Sequence, residues 1–78
     1  MDHLRRGIEL ARQGQWDQAH DIAQEDGTSL GSWLHGVVHI IEEDESNARY
    51  WYRKAGRPFP GMDAAAKELS EIERSLGE

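Results

Sequence analysis

Apolar residues recur along most of this chain at spacings of three and four, the period of a helix with one buried face. Leu4, Ile8 and Ala11, with Leu10 beside them, predict a first helix from about Asp2 to Gln13, with Asp2 as its N-cap. Gly14 then supplies the turn, and Trp16, Ala19, Ile22 and Ala23 form the stripe of a second helix ending near Glu25. Asp26-Gly27 reads as a turn, and Thr28 or Ser29 can cap a third helix. That third stretch holds Leu30, Trp33, Leu34, Val37, Val38, Ile40 and Ile41. Its β-branched residues suit a strand, but they show no alternation of period two, and as a helix they wrap most of the wheel. A helix apolar nearly all round belongs in the middle of a bundle.

Glu42 to Glu45 form an acidic run that suits the start of a fourth helix better than the end of the third, with Asp44 or Ser46 as N-cap. That helix carries Asn47 to Ala55 and stops at Gly56, ahead of Pro58 and Pro60; Arg53 and Lys54 suit its negative end. Asp63 can cap a last helix, whose apolar line of Ala65, Leu69, Ile72 and Leu76 is a narrow seam between charged flanks. The expected architecture is all-α: four or five helices forming one domain over residues 1–78. Helix pairs span roughly 2–25 and 29–55 as two stacked antiparallel hairpins, and a closing helix covers roughly 63–76. Leu69, Ile72 and Leu76 have little else to cover in this arrangement, so a homodimer through that seam is expected.

Two pairs of small residues suggest an internal repeat. Gly7 and Gly36 are separated by the same 29 positions as Ala19 and Ala48, and Ala23 and Tyr52 share the offset. Helices that cross closely need Gly or Ala at the crossing. Gly14-Gln15-Trp16-Asp17-Gln18-Ala19 is similar to the tetratricopeptide pattern of Gly, aromatic and Ala, with Gly7 at the family's first-helix Gly. Ala48, Trp51-Tyr52, Lys54-Ala55 and Pro60 resemble the second helix and trailing Pro of Sel1 and tetratricopeptide units. The offset is shorter than the family's period of about 34, and Asp26 stands where Ala is usual. Trp16 through Pro60 also looks like a group of small bacterial proteins. The resemblance implies a non-enzymatic module that binds a peptide or protein partner on a helical face.

Charge and composition narrow the alternatives. A net charge of −6 argues against nucleic acid as partner, and no apolar run reaches the roughly 18 residues of a membrane span. The absence of Cys removes thiol chemistry and fits a reducing, cytoplasmic setting; the amino terminus lacks the apolar stretch of a signal peptide. There is no nucleophile elbow, phosphate loop or dinucleotide fingerprint.

What remains is a set of histidines. His35 and His39 are four apart on one helical face, and His20 shares the register of Trp16 and Ala23 on the preceding helix. Three imidazoles with an open position suit zinc or another divalent transition metal, with Glu42 as a fourth ligand or a base. Gly36 occupies the place of the Glu in a His-Glu-x-x-His motif. The alternative is that these rings bond carboxylates such as Asp17, Asp21 or Glu42 at helix contacts. On residues alone, an interaction module without cofactor is the preferred function, and a metal-binding or His-based catalytic site at His20, His35 and His39 is the second. The candidate binding set adds Arg49, Tyr50 and Arg53: an Arg fork can engage a carboxylate beside an aromatic face, with Trp51 and one Tyr expected in the core and the other on the rim. His3 is expected to be exposed and unrelated.

Overall fold

Several helix boundaries can be traced to a local cause. The computed structural model describes residues 3–77, so Asp2, the expected first cap, lies outside the described residues. Five α-helices and no strand occur among them: α1 His3–Arg12, α2 Trp16–Glu25, α3 Ser29–Ile41, α4 Glu45–Ala55 and α5 Ala65–Ser75. Thr28 caps α3 by accepting from Gly31 N at 3.1 Å, and Asp44 caps α4 by accepting from Asn47 N at 3.4 Å. Both α1 and α4 end on a glycine of positive φ, Gly14 (80°) and Gly56 (75°). At these ends the next amide reaches back to the helix, from Gln15 N to Leu10 O (2.8 Å) and from Arg57 N to Tyr52 O (3.0 Å). The end of α3 uses the same closure, Asp44 N donating to His39 O at 2.9 Å, but the left-handed position there is Glu43 (φ 62°).

The last helix departs from the pattern read in the sequence. Asp63 does not cap it, because α5 begins two residues later and its N-cap is Ala64, which makes no side-chain cap bond. Trp16 also departs: it opens α2 at the rim and stands 44% exposed, so the buried stripe of that helix begins at Ala19.

α3 is central, as its all-round apolar surface requires. It packs against each of the other four helices, and Trp33, Leu34, Val37, Val38 and Ile40 are buried in one continuous cluster. The cluster also takes Leu4, Ile8, Leu10 and Ala11 from α1, Ala19 and Ala23 from α2, Ala48 and Tyr52 from α4, and Leu69 and Ile72 from α5. Two hairpins are visible in the end-to-end contacts. His3, at the start of α1, bonds Asp26, just past α2, at 2.7 Å; the Arg57 guanidinium, past α4, lies 3.5 Å from the centre of the Trp33 ring near the start of α3.

The four small residues stand where helices touch. A methyl group on Gly7 would come within 2.8 Å of Leu34 Cδ2 and 3.1 Å of Ile22 Cγ2, and one on Gly36 within 2.6 Å of Tyr52 Cδ1. Ala19 and Ala48 are fully buried. α5 then lies against α3 and α1, where Arg12 pairs with Glu73 at 3.1 Å. Leu69 and Ile72 are buried inside the chain's own core and Leu76 is half-buried, so the seam expected to await a second copy is largely covered within one chain. Spacing along one helix cannot reveal that, because it says nothing about where α5 docks.

Candidate functional site

α3 turns its His35–His39 edge toward α2, and the helical spacing of four puts both rings on one face, 5.0 Å apart and nearly parallel. His20 approaches from α2 edge-on, its ring centre 4.4 Å from that of His35 and 5.4 Å from that of His39. One nitrogen from each ring falls within 4.8 Å of the others, and His35 Nε2 and His20 Nε2 are 2.9 Å apart. The three imidazoles of the second reading do come together.

The three rings differ in their exposure. His35 and His39 are buried, while His20 is half-buried. Trp51 of α4 stacks flat on His35, ring centres 3.7 Å apart and planes 10° from parallel. α2 and α4 make no close backbone approach to each other among the described residues. The pair of rings on α3 is therefore flanked by His20 from α2 and by Trp51 from α4.

Burial sets the charge state. His35 is held well below the ordinary imidazole value, at about 4, by desolvation first and then by the neighbouring rings of His20 and His39. His39 is lowered by desolvation as well, with the nearby Glu42 carboxylate opposing the shift. Neutral imidazoles are the form that binds a cation. The nitrogen pair at 2.9 Å shares a single proton, one ring donating and the other accepting. Two further ring nitrogens, His35 Nδ1 and His39 Nδ1, are buried with no hydrogen bond among the described residues. Glu42 Oε1 lies 3.3 Å from His39 Nδ1, at ion-pair distance.

The donor set fits a borderline metal. Imidazole nitrogens at about 2.0–2.1 Å from a tetrahedral ion are roughly 3.3 Å apart. The nitrogens here span from slightly closer than that to 4.8 Å. To hold an ion at those lengths the widest pair has to close by about 1.5 Å. Of the carboxylates suggested by the sequence, Glu42 stands beside His39, while Asp17 and Asp21 are exposed.

The other candidate binding residues lie elsewhere on α4. Arg49 is committed locally, to Glu45 Oε2 at 2.8 Å and across the face of Phe59 at 4.5 Å. Tyr50 is 44% exposed and meets Trp51 edge-on, while Arg53 is exposed. Tyr52 takes the core position and Tyr50 the rim, the expected division, with Trp51 half-buried between them. His3 is exposed but not idle, since its ring pins the Asp26 carboxylate that also accepts from Thr28 N.

A second polar centre was not foreseen. Glu68 of α5 is buried and accepts on one oxygen from Trp33 Nε1 and from the Tyr52 hydroxyl, both at 2.8 Å. Burial, together with this carboxylate, pushes the Tyr52 hydroxyl well above its ordinary range, so it stays protonated as a donor. The contact ties α5 to both helices of the second hairpin. Its only trace in the sequence is a Glu beside Leu69 on the apolar seam.

Comparison with protein-family models, with curated proteins and with solved structures finds no match to this chain.

Proposed function

We propose that this chain is a small all-helical metal-binding module in which His20, His35 and His39 hold one divalent transition-metal ion, zinc being the natural occupant. The observation that carries the reading is convergence: three ring nitrogens from two helices within 4.8 Å, two of the rings buried.

Isothermal titration of tag-free protein with Zn²⁺ and Co²⁺ tests the proposal. One site of micromolar or tighter affinity, lost in His35→Ala and His39→Ala variants that remain folded, is the expected result. A parent protein that binds neither ion at one equivalent refutes it.

The tetratricopeptide-like interaction module is the second reading. It is supported by the close crossings at Gly7 and Gly36, one in each hairpin. Exposed Trp16, Tyr50 and Arg53 offer a peptide partner aromatic and cationic contacts on the outer surface. The two readings are compatible, since an ion-stabilised hairpin pair is still a scaffold.

A further inference from the structure

The number of donors that converge has a consequence for the ion's chemistry. We infer that a metal held by His20, His35 and His39 keeps one coordination position that no protein side chain fills, available to a monodentate anion, and that Glu42 orients His39 without being a ligand itself. The inference rests on the proposed metal site and concerns its fourth position.

Three observations carry it. Among the described residues the converging group contains the three histidines and no carboxylate. The nearby acids are otherwise placed: Asp44 is occupied in capping α4, where it accepts from Asn47 Nδ2 at 2.7 Å, and Glu42 stands beside Nδ1 of His39. A carboxylate at Nδ1 takes that nitrogen's proton in a hydrogen bond and leaves the Nε2 lone pair for the ion, the outer arrangement that fixes the tautomer of metal-bound histidine. Lastly, His20 is only half-buried and α2 and α4 make no close backbone approach among the described residues, so the triad meets solvent on the His20 side. Three protein nitrogens with a free position constitute the coordination pattern of reactive zinc centres; structural ones are closed by four.

The small motion that turns a 3.3 Å approach into a hydrogen bond is a side-chain adjustment at the end of α3. Glu42 is the C-cap residue of that helix, with helical backbone, three residues beyond His39, so its carboxylate is already on the ring's side of the helix.

The test uses the full-length, tag-free protein loaded with Co²⁺, whose visible bands report coordination, and sodium azide as the probe anion. Parent, Glu42→Ala and Glu42→Gln are compared, with far-UV circular dichroism confirming that each is folded. The expected outcome is one Co²⁺ per chain in the parent and a saturable azide-dependent band shift. Co²⁺ affinity should fall about 10- to 100-fold in Glu42→Ala and largely recover in Glu42→Gln, which keeps a neutral acceptor. The azide shift should persist in all three. An azide response in Glu42→Ala but not in the parent would make Glu42 the fourth ligand and overturn the inference. A metal-loaded parent and Glu42→Ala that both ignore azide would overturn the open position, because another donor then closes the site. Unchanged Co²⁺ affinity in Glu42→Ala would overturn the orienting role. Failure of the parent to bind Co²⁺ at all would sink the three-histidine site itself and is read before azide is added.

Discussion

Replacing Gly36 by alanine sets two opposing effects of known size against each other at the position between the two buried histidines. In a helix interior, Gly→Ala favours the folded state by up to about 1 kcal/mol through backbone propensity. Here the added methyl would sit 2.6 Å from Cδ1 and 2.8 Å from Cε1 of Tyr52, and 3.4 Å from Ala48 O. The tyrosine ring has no easy retreat. It is 1% exposed, its hydroxyl is bonded to Glu68, and Phe59 meets its face edge-on with ring centres 5.6 Å apart. Overpacking of this kind costs about 1–3 kcal/mol and exceeds the propensity gain. A net loss of about 1–2 kcal/mol should lower Tm by roughly 5–15 °C in a domain of this size.

Two controls separate sterics from propensity. Gly27→Ala adds a methyl to open space and should change stability by less than about 0.5 kcal/mol. Gly7→Ala meets the movable end of Leu34 at 2.8 Å and should fall between the two. Thermal unfolding followed by circular dichroism measures all three. Because α4 carries Trp51 on His35, a shifted α4 should also alter Trp emission in Gly36→Ala. A Gly36→Ala protein as stable as the parent would show that the α3–α4 crossing is not closely packed, and the reasoning would fail.

Four further outcomes are expected. Glu68→Ala leaves Trp33 Nε1 and the Tyr52 hydroxyl without their acceptor and should cost about 2–4 kcal/mol in urea unfolding, whereas Glu68→Gln, which retains an acceptor oxygen, should cost clearly less. Glu43→Gly relieves a left-handed conformation at a helix end and should stabilise by about 0.5–1 kcal/mol in the same assay. Metal-free protein should lose stability as pH falls from about 6.5 toward 4, since the unfolded chain takes up a proton that buried His35 resists; the loss should be on the order of 1–3 kcal/mol, and a His35→Gln variant should show a flatter profile over that window. Ile72→Asp places a carboxylate in the core and should unfold the chain, by about 4 kcal/mol or more, rather than split an associated form; sedimentation velocity on a folded surface variant such as Glu71→Lys then gives the mass without that confusion.

Helix number and order were legible in the residues because a 3.6-residue period and its stop signals are local properties: Gly14, Thr28, Asp44 and Gly56 end or begin helices through bonds to amides only a few positions away. The same locality placed His35 and His39 on one face and made α3 central. Contacts between distant segments were a different matter. Whether His20 reaches those rings, whether Trp51 lies over them, and whether a seam such as Leu69–Ile72 faces this chain or another depend on how helices dock, and no spacing within one helix encodes that. Glu68 shows the limit most clearly. A charged residue on an outer helix reads as solvated until α5 settles against α3 and two buried donors, 35 and 16 positions away in the chain, close on one oxygen. Local periodicity therefore determined the rods, and the tertiary packing alone determined which polar groups lost their water and so had to find partners in its place.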